Sequence, residues 1–161
     1  MTNELMKSFI EAGAFSAVAL VAFGAAFGCT IAGSAAVGSW KKCYLQNKLA
    51  PFQLVIFTGA PLTQVIYGMI LMFVLAGKVS PEVIAKTPAV LSMWPALLAI
   101  GMLSGLVMLV CAWIQGKAAA VCCDAMAETG KGFTNYLIVL GIIETVSIFV
   151  MAFAMILVSQ I

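Results

Sequence analysis

Arginine and histidine are both absent from the 161 residues, and charged side chains make up only 9% of them. The eight basic residues are all lysine, set against six acids, and a net charge of +2 with no basic patch is too mild to serve a nucleic acid. The cysteines, Cys29, Cys43, Cys111, Cys122 and Cys123, are odd in number and have no CxxC spacing. Neither a disulfide framework nor a zinc site is indicated, and they read as buried or interfacial free thiols. No GxxxxGK[ST] phosphate loop occurs, so the chain is not expected to bind ATP. With no catalytic triad or metal cluster either, it is not expected to be an enzyme by itself. A secretory signal would open on a positive cluster and close on a small-residue cleavage site; here Glu4, Lys7 and Glu11 flank an apolar stretch that continues, so the first helix is expected to stay.

What is present is apolar: 64% of the residues are hydrophobic and the mean hydropathy is +1.16, values that belong in lipid. A spanning helix needs about 20 mostly apolar residues, and four stretches qualify, roughly 9–39, 52–77, 89–122 and 134–160. The expected fold is an all-α membrane protein of four transmembrane helices, arranged as two helical hairpins over residues 1–80 and 81–161. The first and third stretches exceed what a bilayer demands, which predicts tilt or projection into water. Loops are expected from Trp40 to Lys48, from Gly77 to Glu82, and from Asp124 to Gly132. The first of these carries three lysines and no acid, so the positive-inside rule puts the segments near 41–48 and 124–132 in the cytoplasm and both termini on the opposite side.

The two hairpins read as an internal duplication. Gly33-Ser34-Ala35-Ala36-Val37 lies over Gly116-Lys117-Ala118-Ala119-Ala120 at an offset of 83, and the same offset brings Pro61 opposite Glu144, so the acid survives in one half only. Gly24, Gly28, Ala32 and Ala36 recur every fourth residue, and Gly101, Gly105, Ala112, Gly116 and Ala120 give the third stretch a similar face. Such stripes let helix backbones approach closely where lipid offers no hydrophobic drive for association. They are compatible with packing inside one bundle or with a tight inner ring built from many copies.

Glu144 stands inside the apolar run Leu137–Val146, where an acid costs about 2.5–3.5 kcal/mol on insertion scales. It needs a proton or a partner. On the second stretch Ala60, Thr63, Gln64 and Tyr67 fall at i, i+3, i+4 and i+7, so hydroxyl, amide and phenol share one face. Pro61 interrupts the same turn; it has no N–H for the carbonyl of Phe57 and is expected to leave a backbone oxygen available. Gln115 adds an amide, though its spacing alone fits an end-of-helix polar residue beside Lys117 equally well. Carboxylate, hydroxyl, amides and carbonyl make an all-oxygen set suited to a hard cation, with Na+ the small monovalent candidate.

At these residues the sequence resembles the proteolipid of rotary V-type ATPases, the c-ring or K-ring subunit, and is most similar to the bacterial sodium-translocating branch. The resemblance covers the whole chain: duplicated hairpin, glycine-rich first helix and Gly141-Ile142-Ile143-Glu144. It implies a Na+ site made by Thr63, Gln64, the backbone carbonyl of Ala60, Gln115 and Glu144, with Tyr67 hydrogen-bonded to the glutamate and Pro61 as the helix kink. Leu62 and Ala60 depart from the glycine and leucine of related chains, but a carbonyl ligand is indifferent to its side chain. The resemblance further implies a ring of identical copies in lipid, turned against a stator membrane subunit that supplies the arginine this chain lacks, with a central-stalk subunit docked on the cytoplasmic loops and ATP hydrolysis in other subunits. Two alternatives stand beside it. A proton-translocating ring would need only Glu144 and one acceptor or donor for its neutral form and leave Thr63, Gln64 and Gln115 little to do; an independent small cation transporter would want aromatic side chains around the acid, where Gly141, Ile142, Ile143, Val146 and Ile148 stand instead.

Overall fold

A computed structural model describes residues 2–161. Helix α1 runs unbroken from Asn3 to Leu45. Its first turn is capped by the Thr2 hydroxyl, which accepts the Leu5 N–H at 3.4 Å, and Glu4 complements the positive end of the helix dipole. The second stretch is one rod in pieces: α2 (Leu54–Gly59), a single 3-10 turn over Ala60–Leu62, and α3 (Thr63–Gly77). A short α4 (Pro81–Lys86) and a second 3-10 segment (Pro88–Met93) lead into α5 (Trp94–Thr129), and α6 covers Phe133–Ser159. Four helical segments, Asn3–Leu45, Leu54–Lys86, Pro88–Thr129 and Phe133–Ser159, are long and apolar enough to cross a membrane. The chain is an integral, multi-pass membrane protein.

Two expected loops are shorter than the sequence indicated. Trp40–Leu45 remain in α1, so the first connection covers only 46–53, and Asp124–Thr129 remain in α5, so the third is Gly130–Gly132. The physical reason is that charge limits burial in lipid, not helix formation: both helices simply continue past their apolar sections, with the lysines and acids on exposed faces. Gly130 and Gly132, at φ of 65° and 88°, close the tight turn that reverses the chain. The first and third connections lie at the same end, where Lys42 forms an ion pair with Glu128 and the Trp40 indole donates to the Pro51 carbonyl at 2.7 Å.

The most intimate contact in the molecule joins α1 to α5, which run parallel: Gly13 meets Leu98 and Gly101, Gly24 meets Leu109, Gly28 meets Ala112 and Gly116, and Cys43 meets Ala127. Backbone rests on backbone. A Cβ built on Gly13 would come 2.7 Å from the Leu98 Cα, and one on Gly28 would overlap the Ala112 carbonyl while also meeting the Pro61 ring at 2.9 Å. The small residues predicted on both helices form the seam, except that Ala119 and not Ala120 is buried there, and it extends beyond the predicted stripe to Gly13, Ala14 and Ala17. Helices α3 and α6 lie outside it, α3 on α1 and α6 on α5, with a lighter contact between them. Buried apolar side chains form two clusters, one with Ile10, Val21, Leu71 and Leu97 and one with Ala32, Phe57, Cys123 and Leu140.

Gly28→Ala is expected to destabilise the fold by about 1–3 kcal/mol, as overpacking does. Gly33→Ala, at a helical position with open space around it, should be neutral or stabilising by about 0.5–1 kcal/mol. Thermal unfolding of the two variants in detergent checks the contrast.

Candidate functional site

The 3-10 turn at Ala60–Leu62 follows from Pro61. Its ring cannot donate to Phe57, and the chain responds by tightening, so that the Ala60 N–H takes the Phe57 carbonyl instead. This corrects the expectation that a carbonyl near the kink is left free: the Ala60 oxygen itself accepts from both the Thr63 N–H and, at 2.8 Å, the Thr63 hydroxyl. The tightened turn seats Pro61, fully buried, against Gly28 of α1. It also turns Thr63 and Gln64 to two different surroundings.

Thr63 faces a cavity of about 260 Å³ between α2–α3 and α6, lined also by Ala60, Gly59, Leu140, Gly141 and Glu144. Glu144 and Thr63 are both half-buried there. The Tyr67 phenol, one helical turn from Thr63, donates to Glu144 Oε1 at 2.5 Å. Since the Thr63 hydroxyl gives its proton to Ala60, only its lone pairs are left for a ligand in this cavity.

Gln64 and Gln115 point inward and are completely buried. Gln64 Nε2 donates to Gln115 Oε1 at 2.8 Å, Gln115 Nε2 donates to the Leu140 carbonyl at 3.2 Å, and the Ser147 hydroxyl donates to Gln64 Oε1 at 2.9 Å. One backbone carbonyl orients the whole chain of bonds. Leu140 O can only accept, so Gln115 must present its NH2 to it; the Gln115 oxygen then faces Gln64, whose NH2 must answer it, and the Gln64 oxygen is left to Ser147. Each amide oxygen retains a second lone pair. The mid-helix burial of Gln115 also removes its reading as an end-of-helix residue, because α5 runs on to Thr129. These polar side chains separate the two apolar clusters, and no buried side-chain polar atom among the described residues is without a partner.

The structure therefore brings Glu144, Thr63 and Ala60 together at one cavity, with Tyr67 bonded to Glu144 and Gln64 and Gln115 as a bonded pair in the adjoining core. Sequence reasoning missed Ser147. The signal was available: it lies three residues after Glu144, hence on a neighbouring helix face, and at the 83-residue offset from Gln64. Glu144 is the one carboxylate among the residues that line the cavity, and no group of three His, Cys, Asp or Glu side chains that could hold a metal occurs among the described residues.

Residues 98–157, from within α5 almost to the end of α6, match the family model for the C subunit of ATP synthase. The match covers less than half of the chain, including Gln115, Leu140, Glu144 and Ser147 but not Thr63, Gln64 or Tyr67. Among curated proteins none matches the chain.

Gln115→Leu would leave the Gln64 amide unpaired in the core and take from the Leu140 carbonyl the second donor it has beside its helix bond, and is expected to destabilise by about 1–3 kcal/mol. Ser147→Ala leaves only the Gln64 oxygen without its donor, while the Gln64–Gln115–Leu140 bonds persist, and its expected cost is smaller. Denaturation midpoints of the two variants in one detergent give the comparison.

Proposed function

We propose that the chain is the ion-carrying subunit of a membrane rotor ring, that its whole length is a duplicated hairpin of the type found in the ATP synthase rotor proteolipid, and that the carried ion is Na+. The observation that supports this best is the arrangement around Glu144: a carboxylate within an apolar membrane helix, anchored by Tyr67, sharing a cavity with the lone pairs of Thr63 and backed by two oriented amide oxygens. The family match over residues 98–157 supports the rotor reading independently of that geometry. The parallel seam of α1 and α5, and the 83-residue spacing between bonded Gln64 and Ser147, support the duplication.

In this reading Na+ is the cargo. Glu144 supplies the charge that compensates it, Thr63, Gln64 and Gln115 supply neutral oxygens, the Ala60 carbonyl supplies another once the Thr63 hydroxyl releases it, and Tyr67 keeps the carboxylate aimed into the cavity. Hard oxygen donors replace the shed water of the ion. The orienting chain from Leu140 to Ser147 fixes the amide oxygens before the ion arrives, so little reorganisation opposes binding. Identical copies form the ring in lipid, with the glycine seam as its tight inner layer. A stator membrane subunit supplies the arginine that competes for Glu144 and releases the ion. The ends bearing Lys42 and Glu128 face the cytoplasm, where a central-stalk subunit transmits torque from ATP hydrolysis elsewhere.

A proton ring of the same architecture is the second reading, favoured by the fact that Tyr67 and Glu144 alone could serve a proton. An independent cation transporter is less well supported, since the residues flanking Glu144 in the cavity are Leu137, Leu140 and Gly141, without an aromatic cage.

Carbodiimide labelling of Glu144, read by mass spectrometry across sodium concentration and pH, separates these readings. Sodium is expected to suppress labelling at fixed pH while a large cation at equal ionic strength does not; dependence on pH alone would assign the proton. Glu144→Gln should leave assembly intact and abolish ion coupling, and Thr63→Ala should raise the sodium needed for half-protection roughly tenfold, the loss of about 1.4 kcal/mol. Normal ion-coupled transport by the Glu144→Gln protein would remove the central assignment.

A further inference from the structure

The cavity beside Glu144 is lopsided. Glu144 and Thr63 stand at one end of it, and every other residue that lines it precedes one of them along its helix: Ile56, Gly59 and Ala60 before Thr63, and Leu137, Leu140 and Gly141 before Glu144. Beyond that end the carboxylate is bonded by Tyr67, one turn further along α3 than Thr63. Helices α2 and α6 both start at the end of the molecule that bears the Lys42–Glu128 pair, since the connections that precede them lie there. The open space therefore runs from Glu144 toward that end. At about 1.5 Å per residue, Leu137 is roughly 10 Å from Glu144 along α6, and α6 begins one turn earlier, at Phe133.

Two glycines border this space without a packing reason. Gly13, Gly24, Gly28, Gly101 and Gly116 accept a neighbouring backbone, and Gly68 accepts that of Ala17, but a Cβ built on Gly59 or on Gly141 would meet nothing within 4 Å. Glycine in a helix is less stable than alanine, so neither position gains from it in packing or in propensity. Both stand one turn before a polar residue of the site, Gly59 four residues before Thr63 and Gly141 three before Glu144. With side chains missing from both walls at a similar depth, the cavity keeps room for several water molecules. Continued by one helical turn from Ile56 and Leu137, the two lining stripes reach Gln53 and Thr134, exposed polar residues at the starts of α2 and α6. An ionisable group inside a membrane that exchanges its partner needs a hydrated route of this kind.

We infer that Gly59 and Gly141 hold open an access path to Glu144 within the chain itself, along the groove between α2 and α6 from the end bearing Lys42 and Glu128, while the side of Tyr67 stays closed. This path rests on the reading of Glu144 as the ion carrier; it adds the groove by which the ion arrives and the two positions that set its rate. The glycines contribute no ligand and act by leaving width. Larger side chains there slow exchange without changing how tightly the ion is held once bound.

The test uses the intact assembly in vesicles of one orientation and a membrane-impermeant carbodiimide added to either side, with labelled Glu144 followed over time by mass spectrometry. Labelling is expected from the side of the Lys42–Glu128 end. Gly59→Leu combined with Gly141→Leu should slow it roughly tenfold, and the corresponding pair of alanines by less, while the sodium concentration for half-protection stays unchanged. Gly77→Leu, at an equally open helical position outside the cavity, should label at the unaltered rate. Equal rates for the double-leucine and unaltered proteins overturn the path. So does labelling from the opposite side only, or reaction with a lipid-soluble carbodiimide alone, which would mark a cavity open to the bilayer and not to water. Labelling that ignores sodium and is still slowed by the leucines would count against sodium as the cargo while upholding the path.

Discussion

The approach of α1 to α5, backbone against backbone through Gly13, Gly24, Gly28, Gly101 and Gly116, is the contact on which the other helices depend. In a membrane no hydrophobic force gathers helices, since lipid tails are as apolar as leucine; what holds them is the close van der Waals packing that small residues permit. Because the two long helices run parallel, the helix following each of them returns at a matching depth. That places the Pro61 turn and Glu144 at one level, and Gln64 within reach of Ser147. Gly28 links the seam to the site directly, since it accepts both the α5 backbone and the buried ring of Pro61.

The polar layer follows a second constraint: buried donors and acceptors must all be matched where water cannot reach. The molecule meets it by separating two kinds of polar group. Gln64, Gln115 and Ser147 are fully buried and bonded to one another and to Leu140, which fixes them. Glu144 and Thr63 are half-buried beside a cavity and held by one bond each to Tyr67 and Ala60, which leaves them able to exchange partners. A site that must take up and release an ion needs both: rigid donors to define its shape and an accessible charge that can change its companion.

The same molecule meets its surroundings unevenly. The α3 and α6 faces stay apolar along nearly their whole length, whereas from Thr30 and Lys117 onward the α1–α5 face mixes exposed polar residues with exposed Val37, Tyr44, Leu45 and Val121. Hydropathy averaged along a helix conceals this, because α1 and α5 score as spans on the strength of their buried stripes as well as their exposed ones.

Much of the architecture was legible in the sequence because lipid imposes simple rules: four long apolar runs become four spanning segments, and small residues at fourfold spacing become a seam. Glu144 was conspicuous because an acid in such a run is costly, and helical spacing drew Thr63, Gln64 and Tyr67 together on one face, whereas the fold turns Gln64 into the core and Thr63 to the cavity. The helix ends were not, since charged residues at Trp40–Leu45 and Asp124–Thr129 end the apolar pattern without ending the helix. Nor was the division of labour among the polar residues. Spacing within a helix fixes which side chains share a face, but only the packing of α3, α5 and α6 decided that Gln115 meets Gln64 and Leu140, that Ser147 completes the chain, and that the Phe57 carbonyl is recaptured by a 3-10 turn. Those bonds join residues distant along the chain, and their partners are set by depth and rotation of whole helices, which no local pattern encodes.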